Sequence, residues 1–384
     1  MRLVITGASG SVGTALLRRL RERPGPDDVL GVARRAVPAV PPYDLARWLQ
    51  CDVGRPGAGT ELAGAFAGAD TLVHLAWAIQ PSTKDPPRRR TNVFGTENVL
   101  HAAERAGIRH VICASSVAAY RPAPRWCVVG EAWPSDGIPG SGYSRDKADL
   151  EYLLDRFEER HPGVTVARIR PCAVVQRDAA TQIAGWTLNA HVPRGLVGSR
   201  WLPFPVWPGL RAQVVHADDV AAALRLIIDQ RAGGAFNLAA EPVLSSRRLG
   251  AILGGFAVPL PRTLLAALAW AGWRTGLQPS HPGWLTMSDR VALVSSRKAR
   301  GTLGWRPRYH AADALAELVA GIRAEAAGAS PPLAGRDAGR GGWGRPSHQS
   351  QAARRLVPRG GTETAGAAVR ARSARGTARS GSGG

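Results

Sequence analysis

Short apolar runs alternate with amphipathic stretches from Met1 to about Pro171, the rhythm of successive β-α units around a parallel sheet. Strands are expected at Arg2–Thr6, Val29–Ala33, Leu49–Val53, Thr71–Ala76, His110–Ser115 and Val164–Arg170. Most are β-branched or leucine-rich with no alternating polar face, as strands covered on both sides must be. Between them the apolar spacing predicts helices over Ser11–Arg21, Thr91–Ala106 and Tyr143–Arg160, the last with Leu150, Leu153 and Leu154 on one face and charges on another. Six strands in this order make a Rossmann-type, doubly wound α/β domain over residues 1–171.

Beyond Pro171 the pattern loosens. Residues 182–208 are rich in Trp, Pro and Gly, and strand, helix and strand resume over Gln213–Ile228 and Ala235–Leu238. A smaller substrate-facing lobe over 172–328, interleaved with the first domain, is the expectation. Leu260–Trp273 is strongly apolar but contains Pro261 and Arg262, and it falls short of the roughly 20 residues that cross a bilayer. A lid or core helix is expected there, and no membrane partner. A last helix, Ala311–Ala327, precedes a Gly/Ala/Arg/Ser-rich segment, 329–384, which has too little apolar surface to fold and is expected to be disordered and dispensable for chemistry.

Composition adds limits. The 384 residues, 45% of them hydrophobic, suffice for a substantial core. Cys51, Cys113, Cys127 and Cys172 are scattered without a CxxC pair, so neither a zinc site nor a disulfide framework is expected, only buried thiols. The opening Met-Arg-Leu-Val-Ile-Thr-Gly reaches glycine after a few apolar residues, unlike a signal peptide, and points to the cytoplasm. Net charge is +21, of which the ten arginines after Ser330, against Asp337 and Glu363, supply +8. With 47 arginines to three lysines, the charge reads as a general preference for arginine and a solvated basic surface, not a nucleic-acid face.

The chemistry starts at Thr6-Gly7-Ala8-Ser9-Gly10-Ser11-Val12-Gly13, directly after the first strand and opening the first helix. There a glycine-rich turn brings backbone amides and a helix N-terminus to a pyrophosphate. The second strand ends Val32-Ala33-Arg34-Arg35. No carboxylate stands there to take ribose hydroxyls, and a guanidinium suits a 2′-phosphate, so NADP is preferred over NAD. Asp52 and Val53, at the third strand's end, are positioned for the adenine edge. Tyr143 and Lys147 lie four residues apart, on one helix face, in a chain with only five tyrosines and three lysines. Ser116, at the carboxyl edge of the fifth strand, completes a set in which Tyr143 exchanges a proton with a substrate oxygen during hydride transfer.

These motifs, with His74-Leu75-Ala76, Asn92 to Val99, Arg170-Pro171, Val215 to Val220 and Leu303 to Pro307, resemble the extended short-chain dehydrogenase/reductases, the NAD-dependent epimerase/dehydratase family. The resemblance runs from Met1 to about Arg323. It implies cofactor contacts from Gly7, Ser9, Gly10, Ser11, Val12, Gly13, Asp52, Val53, Leu75, Ala76, Asn92, Tyr143, Lys147 and Pro171, catalysis by Ser116, Tyr143 and Lys147, and a homodimer through Thr91–Ala106 and Tyr143–Arg160. Two departures narrow the activity. Val117-Ala118 stand where sugar-nucleotide dehydratases of the family carry Asp-Glu, and Pro171-Cys172-Ala173-Val174-Val175 lacks a substrate-binding asparagine. The expected function is therefore oxidoreduction or epimerisation at an alcohol or ketone carbon of a sugar nucleotide or a small hydrophobic ketone. The alternative is a non-catalytic dinucleotide-sensing or RNA-binding protein on the same fold.

Overall fold

The computed structural model describes residues 1–23, 25–79, 88–188, 193–278 and 280–334. Seven parallel strands form its central sheet. β1 (Arg2–Thr6), β2 (Asp28–Ala33), β3 (Arg47–Gln50), β4 (Thr71–His74) and β5 (His110–Ala114) are followed by the strands Thr165–Pro171 and Gly234–Leu238. In space the order is Gly234–Leu238, Thr165–Pro171, β5, β4, β1, β2, β3. The chain runs outward from β1 on one side and from β4 on the other, so a crevice opens above the carboxyl ends where the order reverses.

The sheet's two faces are covered by different helices. α1 (Ser11–Glu22) buries Leu16, Leu17 and Leu20 in the same core as Leu224, Ile227 and Ile228 of the helix Ala217–Gln230. On the other face Leu62 and Phe66 of α2 (Ala58–Phe66), Val99 and Leu100 of α3 (Gly95–Arg105), and Leu150, Leu154 and Phe157 of α4 (Gly142–Arg160) share a second core. A third gathers Trp207, Leu249, Leu315, Leu318 and Ile322 in the C-terminal lobe.

Several expectations change. The expected third strand, Leu49–Val53, lies two to three residues earlier, because Trp48 packs over Gly31 of β2, where a Cβ would meet the indole at 2.7 Å, and the Asp52 carboxylate accepts from Gly54 N to begin a turn. The strand expected in the substrate lobe, Ala235–Leu238, instead forms the sheet's seventh strand, pairing with Thr165–Pro171 from Gly234↔Ala167 to Leu238↔Pro171. Cys127 is exposed, although the other three cysteines are buried as expected. The apolar segment does form a helix, Arg262–Arg274, but none of its residues is buried, so it is not a core helix. The onset of disorder expected at 329 also fails for 329–334: Ser330 and Leu333 are buried, and the Ser330 hydroxyl donates to the Ser9 carbonyl at 2.7 Å. Residues 335–384 lie outside the described residues. Among those described, no helix is long and apolar enough to cross a membrane.

Candidate active site

The turn after β1 is held by Gly7 N bonding to Val32 O and Gly10 N to Gly7 O, each at 2.9 Å. Gly7 has φ +72°, and a Cβ there would sit 2.6 Å from Ala76 N; at Gly13 a Cβ would meet the Ala8 carbonyl at 2.5 Å. The backbone of the turn thus lies against β4's continuation and against α1 at distances no side chain permits. No side chain caps α1, and its first turn holds no acidic residue, leaving the helix N-terminus open to an anion.

This turn forms one wall of a cavity of about 280 Å³. Of the residues expected to hold a dinucleotide, Gly7, Ser9, Gly10, Ser11, Val12, Gly13, Arg34, Val53, Leu75, Ala76, Tyr143, Lys147 and Pro171 line it. Arg35, Trp77, Arg88, Ile183, Trp186 and Pro332 join them, and none of the described lining residues is a carboxylate. Arg34 and Arg35 make no ion pair among the described residues, and burial followed by repulsion from Arg34 lowers the Arg35 pKa. A floor of backbone amides with a cationic rim fits a dinucleotide phosphate chain, the chain's own test of that cofactor.

Three expected residues stand off the wall. Asp52 is turned away: one carboxylate oxygen pairs with Arg90 at 2.7 Å and the other accepts from Gly54 N. The Asn92 amide lies behind the wall, bonded to the backbone N and O of Ala78 and to Asp146, where it fixes the strand extension carrying Trp77. Ser116 is buried, its hydroxyl accepting from Ala118 N at 3.1 Å to cap the turn Val117–Ala119. It donates to the Pro171 carbonyl at 3.5 Å, and its influence lowers the Tyr143 pKa.

The Tyr143 ring contacts Trp284 at 5.1 Å between centroids and meets the Trp77 ring edge-on at 6.5 Å. Burial pushes its pKa up to about 12, with Ser116 opposing and Asp146 reinforcing the rise. Lys147 is not among the groups that shift it. Lys147 Nζ donates to the Ala114 carbonyl at 2.7 Å and lies 3.4 Å from the centre of the Trp77 ring, and burial outweighs Glu151, Cys113 and Asp146 to bring its own pKa down to about 7. With that pKa, Lys147 is close to half neutral at pH 7.

That shift carries a stability consequence. Between pH 7 and 10.5 the unfolded chain holds a proton that folded Lys147 has released, so this group makes stability rise with pH across that window. Below pH 7 both states are charged and the folded state bears the full cost of the buried ammonium. Lys147→Met is expected to raise stability at pH 6 by on the order of a few kcal/mol, with the gain fading as pH approaches 10.5. Paired thermal melts of the nucleotide-free proteins at the two pH values measure this, and equal melting temperatures at pH 6 would contradict it.

Trp77, Trp284, Trp186 and Arg88 were not among the residues the sequence pointed to. Trp77 directly follows the His74-Leu75-Ala76 motif and could have been found by continuing that strand. Trp284 lies 141 positions from Tyr143 and carries no motif.

A glycine-rich turn against a parallel sheet, a cationic crevice and a buried Tyr–Lys helix face together define a dinucleotide-binding enzyme of the Rossmann class. The chain belongs to the NAD-dependent epimerase/dehydratase family, whose model matches residues 3–239. Over 176 residues it is 32% identical to a 4-hydroxy-2-methyl-3-oxo-4-farnesyl-3,4-dihydroquinoline-1-oxide ketoreductase of Stigmatella aurantiaca; the alignment takes in 44% of this chain and 49% of that protein, so the chain spans about half the length of that relative. It is 34% identical over 341 residues to a 3 beta-hydroxysteroid dehydrogenase/Delta 5-->4-isomerase of Mycobacterium tuberculosis, covering 83% of this chain and 89% of that one. The fold is shared with a Thermus thermophilus UDP-glucose 4-epimerase solved with NAD, at TM-score 0.60, 20% identity and coverage of 84% and 99%.

Proposed function

We propose that this enzyme reduces a ketone on an apolar, ring-sized substrate, with NADP(H) as its exchangeable cofactor and Tyr143 as the acid. The observation that carries this reading is the aromatic setting of Tyr143, between Trp77 and Trp284, in a crevice also lined by Ile79, Val174, Ile183 and Trp186. Flat apolar surfaces of this kind favour a substrate that stacks and loses little hydration. Two relatives, named for a farnesylated quinoline ketone and for a steroid, accord with it.

The cofactor supplies the hydride; the chain supplies the proton and the geometry. With a pKa near 12, the Tyr143 phenol is protonated at neutral pH and suited to give its proton to the oxygen of a carbonyl being reduced. Ser116 lowers the phenol's pKa and so eases its deprotonation. Lys147, on the same helix face and anchored to the Ala114 carbonyl, holds the base of the crevice beside Trp77. Arg34 and Arg35 are assigned to the 2′-phosphate, as neighbouring guanidiniums that no anion among the described residues satisfies.

Calorimetric titration with NADP and NAD, on the parent and on Arg34→Ala/Arg35→Ala, tests the cofactor. The parent is expected to favour NADP, and the double variant to lose about tenfold or more of that preference, the worth of one charge-assisted contact. Turnover of NADPH with aryl and steroidal ketones, set beside UDP-glucose, tests the substrate. NAD retained through purification together with conversion of UDP-glucose to its 4-epimer would overturn the reading in favour of the epimerase.

A further inference from the structure

An apolar helix normally hides its apolar stripe, yet the helix Arg262–Arg274 turns one outward. Leu264, Ala267, Leu268 and Ala271 follow i, i+3, i+4, i+7 spacing, and all four are exposed, with Leu264 at 46%, Leu268 at 54% and nearby Trp270 at 57%. Among the described residues, Leu265 on the adjoining side packs against the C-terminal lobe's core and Trp273 meets His281 edge-on. The sequence around the helix is basic, although Arg262 itself pairs with the buried Asp289 at 2.8 Å. From Pro242 to Ser288 the sequence contains no aspartate or glutamate and four arginines, Arg247, Arg248, Arg262 and Arg274. A second stretch, Ala179 to Ala217, also lacks carboxylates and holds exposed Arg200, while Arg194 and Arg211 are largely buried. The two stretches are joined by parallel pairing of Phe256–Pro259 with Pro203–Val206. Exposed Trp201 sits beside this pair under the Arg200 guanidinium, 4.7 Å away.

We propose that the Arg262–Arg274 helix is an interfacial helix that seats this lobe on a lipid surface bearing anionic headgroups. Exposed leucines and a tryptophan, with exposed Arg200, Arg247, Arg248 and Arg274 in the helix and the neighbouring carboxylate-free stretches, are the composition that partitions into a headgroup layer, apolar area and charge acting together. Thirteen residues, about 20 Å of helix, lie along such a surface without crossing it. The inference is independent of the ketone reading: either can fail while the other stands.

Co-sedimentation of the full chain with mixed phosphatidylcholine–phosphatidylglycerol vesicles, and with phosphatidylcholine alone, tests it. Binding is expected to the anionic vesicles, falling with added salt, and to weaken about tenfold or more in Leu264→Glu/Leu268→Glu. Unchanged NADP titration shows that the variant is folded, and the uncharged Leu264→Gln/Leu268→Gln pair isolates the apolar contribution. Vesicle binding equal in parent and both variants assigns the attachment to the arginines elsewhere in the chain and overturns the proposal. So does binding that ignores lipid charge, and so does a lipid-free dimer that the same substitutions dissociate, which would make the helix a contact between copies of the chain.

Discussion

Tyr143→Phe is expected to lower kcat by about 10²–10⁴, the range associated with loss of a positioned general acid, while leaving NADP affinity within about twofold. The substitution deletes one oxygen and keeps the ring, so the contacts with Trp77 and Trp284 persist and the crevice keeps its shape. Only the proton donor is lost. The pH dependence of the parent supplies a second check: with the phenol protonated to about 12, ketone reduction should not fall through loss of this proton until strongly alkaline pH. Steady-state kinetics with NADPH and the best ketone substrate measure the effect. A Phe variant that retains parental turnover would remove Tyr143 from the chemistry and assign the proton to another donor.

Glu151→Gln is expected to cost about 3–5 kcal/mol of stability, the typical penalty for stripping one partner from a buried ion pair. Glu151 is 1% exposed, and its carboxylate accepts from both Nε and Nη2 of Arg170 at 2.8 Å, from Arg168 Nη1 at 3.1 Å and from the Ser115 hydroxyl. Arg168 keeps Asp155 and Glu158 as partners, but Glu151 is the one carboxylate paired with Arg170 among the described residues. Arg170 Nη1 in turn donates to the Tyr120 hydroxyl and the Glu131 carbonyl, each at 2.8 Å, and Tyr120 donates to Asn237. The network therefore ties α4, which carries Tyr143 and Lys147, to the end of β5 and the last two strands of the sheet.

Acid should erase the difference between parent and variant. Burial favours the neutral acid, but hydrogen bonds and charge from Arg170, with Ser115 and Arg168, outweigh it and hold the Glu151 pKa below 4.5. A depressed carboxylate contributes its stability in full above the unfolded pKa, and loses it as pH falls through the folded pKa. Urea unfolding at pH 7 and again below pH 4 measures both parts. A loss under about 1 kcal/mol at neutral pH would show that the cluster is replaceable by neutral hydrogen bonds.

Much of the fold was legible because strands buried on both faces must be written as continuous apolar runs. β1, β2, β4 and β5 fall where those runs do, within a residue or two. The edges were harder. β3 is set by Trp48 finding room over Gly31, a contact between strands, and Gly234–Leu238 has no local feature that says it will return to the first domain's sheet. The helix Arg262–Arg274 was visible as a helix, but whether its apolar face is covered depends on what packs beside it.

Local sequence determined the glycine turn, because a backbone approach of 2.6 Å tolerates no Cβ, and the pairing of Tyr143 with Lys147, because four residues make one helical turn. It also supplied Arg34 and Arg35 at a strand tip. Only the tertiary structure decided that Asp52 turns to Arg90, that Asn92 and Ser116 stand behind the wall, and that Trp284 closes on Tyr143 from 141 residues away. Those outcomes rest on contacts between distant segments and on burial, which sets the Tyr143 and Lys147 pKa values through the surrounding medium, and neither has a signature within one stretch of chain.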